Sequence, residues 1–125
     1  MDQNFKGIVP YLFHDDAEAA LDFYQRVFGF EEISRWNNEE GSLQNAEMRV
    51  GPTEIWIDGG GSRQDDDERP QWIGVWVDNV ESMYQRVLAA GVECEPPVDR
   101  DFGVRMLTIS DGMGYLWGFM RRLEI

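Results

Sequence analysis

In Asp15-Asp16-Ala17-Glu18-Ala19-Ala20-Leu21-Asp22-Phe23-Tyr24-Gln25-Arg26-Val27-Phe28-Gly29, the apolar positions Ala17, Ala20, Leu21, Tyr24, Val27 and Phe28 repeat at the spacing of one helical face. Asp15 is placed to cap the start, with Glu18 three residues on to complete a capping box, and Gly29 supplies the stop. Working outward, residues 5–13 read as a strand with apolar side chains on both faces. Pro10 cannot donate a ladder hydrogen bond, so that strand is expected at a sheet edge or with that N side turned to solvent. After the helix come strands at 30–36, 43–50 and 54–58, the last two joined by the Gly51-Pro52 turn. The order is β-α-β-β-β.

The second half repeats it. Residues 71–77 read as a strand, Asp78-x-x-Glu81 as a capping box, and Val80, Met83, Tyr84, Val87 and Leu88 as a helical face closed by Gly91. Strands follow near 92–95, 105–110 and 115–121, with a Pro96-Pro97 break and a turn at Asp111-Gly112-Met113-Gly114. Asp15 to Asp78 spans 63 positions and Gly29 to Gly91 spans 62. Two copies of one unit, at about 5–60 and 70–123, therefore make up a single α+β domain over residues 1–125. Gly59-Gly60-Gly61-Ser62 and the acidic run Asp65-Asp66-Asp67-Glu68 join them, with the composition of a solvated tether.

The 125 residues suit one domain, and 42% hydrophobic content is too apolar for disorder. No apolar run is long enough to cross a bilayer, and no basic segment followed by an apolar one marks a secretory signal. A single cysteine, Cys94, cannot form an internal disulfide, and a cytoplasmic location is the default. The net charge of −13 repels a phosphate backbone and favours cations, so nucleic acid is a poor candidate and is not expected as a partner.

Tyr11-Leu12 ahead of Asp16-Ala17-Glu18-Ala19-Ala20-Leu21-Asp22-Phe23-Tyr24, then Phe28-Gly29-Phe30, resembles the first unit of the glyoxalase/bleomycin-resistance/dioxygenase (vicinal oxygen chelate) superfamily. Val77-Asp78-Asn79-Val80, Ala89-Ala90-Gly91-Val92 and Asp111-x-x-Gly114-x-x-Trp117-Gly118-Phe119 resemble the second. Gly112 departs from the family, whose final turn usually carries proline after the aspartate. The resemblance implies a curved mixed sheet around a cavity, helices on the outer face, and pairing into a homodimer. In metal-using relatives the ligands come from the first and last strands of each unit. The resemblance puts those positions at Val9, Trp56, Trp72 and Gly118, none of which offers a metal-coordinating oxygen, sulfur or imidazole nitrogen. No cofactor and no metal are expected. Glu54, Asp58, His14 and Glu47 are the nearby donors that a shifted register would bring in.

Strand alternation from those positions places Val9, Tyr11 and Phe13, then Glu54, Trp56 and Asp58, on the inner face. Trp72, Gly74 and Trp76 join them, with Leu116, Gly118 and Met120 from the last strand. Glu47 and Arg49 share a face of their strand and either orient a polar ligand or form a cross-strand ion pair. Such an aromatic lining with a few carboxylates suits a flat or cationic organic ligand. The expected function is metal-independent binding or sequestering of a drug or metabolite, with Tyr11, Phe13, Glu47, Arg49, Glu54, Trp56, Trp72, Trp76 and Met120 as ligand contacts. The alternative is a lyase, isomerase or dioxygenase of the same superfamily, metal-dependent or using Glu47 or His14 as a base. At a strand-to-helix junction His14 is expected to be exposed. Cys94 has no basic neighbour in sequence to stabilise a thiolate.

Overall fold

A computed structural model describes residues 4–61 and 70–124; the Asp65–Glu68 acidic run lies outside them. The described residues form two compact units, 4–25 with 29–61 and 26–28 with 70–124. The class is α+β, with two helices and two four-stranded mixed sheets, neither closed into a barrel.

In the first unit the elements are β1 (Tyr11–Phe13), α1 (Ala17–Phe23), β2 (Glu31–Asn37), β3 (Leu43–Val50) and β4 (Thr53–Asp58). The sheet order is β1-β4-β3-β2, with β1 parallel to β4 and the other pairs antiparallel. β1 is an edge strand, as expected. It is shorter than the sequence suggests: Val9 and Pro10 fall outside it, although the Pro10 carbonyl still accepts the Trp56 N–H at 3.0 Å. Leu12, Ala46, Met48, Ile55 and Ile57 are buried on the face that packs against α1. Removing each large aliphatic chain from water contributes about 1.5–3 kcal/mol.

The helix begins one residue later than expected. Asp16, not Asp15, is the cap, and its Oδ1 accepts the Ala19 N–H at 3.0 Å. Glu18 therefore has no backbone N–H to close a capping box with, and its carboxylate faces Arg35 on β2 at 3.4 Å. After Phe23 the helix widens to a π-helical turn, Tyr24–Phe28, and ends at Gly29 in the left-handed conformation (φ 81°).

The second unit holds β5 (Gln71–Trp76), α2 (Val80–Ala89), β6 (Val98–Asp99), β7 (Val104–Ser110) and β8 (Tyr115–Arg122) in sheet order β5-β8-β7-β6. Again the first strand pairs parallel to the last. The cap shift recurs: Asn79, not Asp78, caps α2 through the Ser82 N–H at 2.9 Å. Glu81 binds Arg105 on β7, and Arg105 also meets Asp99 at 2.9 Å. The strand expected at 92–95 is absent from the sheet. β6 follows the Pro96-Pro97 pair as two residues, because neither proline can donate to a ladder.

Trp117, Phe119, Leu107 and Ile109 are buried on the α2 side of this sheet. Phe28 packs its ring 4.8 Å from Phe119 and 5.3 Å from Trp117. The turn before β8 is organised by Asp111, whose Oδ1 accepts the Met113 and Tyr115 N–H groups and whose Oδ2 accepts the Trp117 indole N–H at 3.1 Å. Among the described residues no helix is long and apolar enough to cross a membrane.

Candidate functional site

Each sheet covers one face with its helix and leaves the other uncovered by it. Alternation decides which side chains stand on the open face. In the first sheet, register sets Tyr11 opposite Trp56, Trp56 opposite Glu47, and Glu47 opposite Ser34. The next row holds Phe13, Asp58, Asn45 and Trp36. Tyr11 and Trp56 meet as tilted rings 5.3 Å apart, and Phe13 lies 6.2 Å from Tyr11. Tyr11 and Phe13 remain nearly half exposed.

Carboxylates surround these rings. The Trp56 indole N–H donates to Glu54 Oε1 at 2.9 Å, which fixes the ring plane and holds that carboxylate beside it. Asp58 Oδ1 accepts the Gly60 N–H at 2.7 Å. Glu47 is half-buried and helps line a hollow of about 220 Å³ with Ser34, Trp36 and Asn45. Arg49 is drawn to the strand edge, 3.5 Å from Glu31, so the cross-strand ion pair is the role the geometry gives it. An exposed pair of this kind contributes about 0–1 kcal/mol.

The open face of the second sheet is more apolar. Trp72 and Trp76, each about half exposed, flank Gly74 on β5. Met120 stands opposite Trp76, and the Arg122 guanidinium lies 4.6 Å above the Trp76 ring. The sequence-predicted contacts thus fall into two sets. Tyr11, Phe13, Glu47, Arg49, Glu54 and Trp56 share the first sheet, while Trp72, Trp76 and Met120 share the second.

His14 corrects an expectation. It is 2% exposed, and its Nε2 lies 3.1 Å from the buried Tyr24 hydroxyl, which withdraws it from the role of an accessible base. The reason is local: with the cap at Asp16, the chain between β1 and α1 turns inward, and the His14 N–H bonds to the Asp58 carbonyl at 2.9 Å. Burial, with help from the Glu95 charge, pushes the Cys94 thiol up and away from thiolate formation. Sequence reasoning did not single out Trp36, Asn45 or Arg122, which the structure sets on these faces. Trp36 needed the pairing register, because a bulge between Glu32 and Ser34 resets the alternation of β2, whereas Asn45 follows by alternation from Glu47 on β3.

The positions that the resemblance gives to metal ligands carry no ligating side chain. Val9 is aliphatic, Trp56 and Trp72 carry only N–H donors, and Gly118 has no side chain. Among the described residues no three or more His, Cys, Asp or Glu side chains are grouped to hold an ion.

An uncharacterised protein of Mycobacterium bovis is 29% identical over 121 residues, covering 89% of this chain and 80% of that protein. The crystal structure of TioX from Micromonospora sp. ML1 superposes with a TM-score of 0.79 at 27% identity, over 95% of this chain and all of that one (100%). The bleomycin-binding protein of Streptomyces verticillus, solved with copper(II)-bleomycin, shares the fold at a TM-score of 0.68 and 20% identity, covering 99% of this chain and 100% of the other. The glyoxalase family model matches residues 7–119, nearly the whole chain, and with the paired β-α-β-β-β units this means that the chain belongs to the glyoxalase/bleomycin resistance protein/dioxygenase superfamily.

Proposed function

We propose that the protein binds a small, flat, cationic organic molecule without a metal of its own, and sequesters it. The observation that carries this reading is the Tyr11–Trp56 ring pair on an open sheet face that also holds Glu47, Glu54 and Asp58. A cation over such rings gains about 0.5–2 kcal/mol, more when desolvated, and the carboxylates add Coulomb attraction that salt screens. Glu54 contributes twice, by orienting Trp56 and by placing charge at its edge. The net charge of −13 draws cations toward the protein at long range. The solved bleomycin-binding relative supports sequestering as a use of this fold, although its likeness is one of fold.

Homodimeric assembly in the cytoplasm belongs to the same proposal. Phe5, Ile8, Trp36 and Phe102 are each at least 66% exposed, an apolar load that a second copy would cover.

The test is titration with proflavine, a planar tricyclic cation, followed by tryptophan fluorescence in buffer containing a chelator. Micromolar binding that survives the chelator and weakens at least tenfold in Trp56→Ala is expected. Absence of binding across proflavine and a panel of other planar cations, or binding abolished by the chelator, overturns the proposal.

A further inference from the structure

The open face of the second sheet contains a slot that is closed by methionine. Gly74, Gly118 and Thr108 stand opposite one another across β5, β8 and β7. On one side of this row lies Trp72, Leu116 and Ser110; on the other lies Trp76, Met120 and Met106. Two glycines side by side inside a sheet cost stability through backbone entropy and lost packing, and mark places where another group approaches the backbone closely.

That other group is at present methionine. A Cβ at Gly74 would fall 2.7 Å from Met120 Cε, and one at Gly118 would fall 3.1 Å from Met106 Sδ. Both side chains therefore lean out of their own row and over the glycines. Methionine is unbranched and adaptable, so it can swing away at small cost. Beside it the Thr108 hydroxyl is buried and, among the described residues, is the side-chain group left without a hydrogen-bond partner. A buried hydroxyl in that state is costly, and a ligand group that reached it would recover the loss. None of the three rows contains an ionisable side chain.

We propose that the Gly74–Gly118–Thr108 row receives an uncharged, flat ring system bearing a hydrogen-bond acceptor, which displaces Met120 and Met106 and accepts a hydrogen bond from the Thr108 hydroxyl. This rests on the reading that the protein binds aromatic small molecules, and it names a second chemistry for them. Trp72 and Trp76 stand four residues apart on β5, about 13 Å at a strand's rise, which leaves room for ring stacking on either wall once the methionines move.

Acridone, a neutral tricycle with one carbonyl, is the probe. Binding to the full chain would be followed by tryptophan fluorescence and by the NMR signals of methionine methyl groups labelled with carbon-13. The expected result is a shift of the Met120 and Met106 methyl signals on binding, with affinity lowered about threefold to tenfold in Thr108→Val and at least tenfold in Gly74→Ala. Thr108→Val changes no steric fit, so it reads the slot even if Gly74→Ala fails to fold. Acridone binding with unmoved methionine signals and an unchanged Thr108→Val affinity overturns the slot. So does absence of acridone binding in a protein that still binds proflavine; loss of both overturns the binding reading as well.

Discussion

The Tyr24 hydroxyl lies 3.1 Å from His14 Nε2, with both side chains removed from solvent. Their rings meet edge to face at 5.8 Å, so one contact ties the chain before α1 to the π-helical turn after it. Tyr24→Phe keeps the ring and removes the hydroxyl, and is expected to lower unfolding free energy by about 1–2 kcal/mol. Urea denaturation measures it; an unchanged midpoint and slope would show that the bond contributes nothing.

Cap position separates two readings of the same acidic residues. Asn79→Ala and Asp16→Ala each remove a side chain that accepts a helix N–H and are expected to cost about 1 kcal/mol. Asp78→Ala, at the cap position the sequence pattern favours, is expected to stay within about 0.5 kcal/mol. Thermal unfolding of the three variants decides it, and a larger loss from Asp78→Ala than from Asn79→Ala would move the cap.

Asp111 is 6% exposed and accepts three N–H groups in the turn before β8. Asp111→Ala removes the acceptor of the buried Trp117 indole N–H together with two backbone bonds and is expected to destabilise by about 2–4 kcal/mol, with a shift in tryptophan emission. A loss below about 0.5 kcal/mol in denaturant titration would mean that the turn holds without its carboxylate.

Glu32 and Arg35 contribute to the acid limb of stability. The Arg35 guanidinium, 2.7 Å away, holds the Glu32 carboxyl below the ordinary glutamate range. A carboxyl depressed by folding stabilises fully above its unfolded value, about pH 4.3, and that contribution disappears as the pH falls through the lower folded value. Arg35→Gln is therefore expected to destabilise at pH 7 by a few tenths of a kcal/mol, to about 1 kcal/mol, and to flatten the loss below about pH 4. Equal acid slopes for both proteins in denaturation curves from pH 2 to 7 would rule it out.

Periodicity made the element order legible because each element buries one face, and the spacing of Ala17, Ala20, Leu21 and Tyr24 reports that directly. The caps were legible only to within a residue. Asp15/Asp16 and Asp78/Asn79 both pair good cap formers, so the local pattern does not choose between them, and Glu18 and Glu81 meet arginines on neighbouring strands, a tertiary fact. His14 was misplaced for the same reason. Trp56 came from the family resemblance, Tyr11 from alternation counted from the position it gives at Val9 and Glu47 from alternation on β3, whereas Thr108 carries no local signal and emerges only through its register with Gly118.

The parallel pairing of first strand with last has a consequence for synthesis on the ribosome. Tyr11 pairs with Trp56, 45 residues later, and Gln71 with Tyr115, 44 residues later. At about 5–20 residues per second, the opening strand of each unit waits about 2–9 seconds for its partner to be made. During that interval β1 and β5 emerge as short apolar segments with unpaired backbone, a state open to aggregation. The brevity of β1, and the proline just ahead of it, then act as protection for the nascent chain.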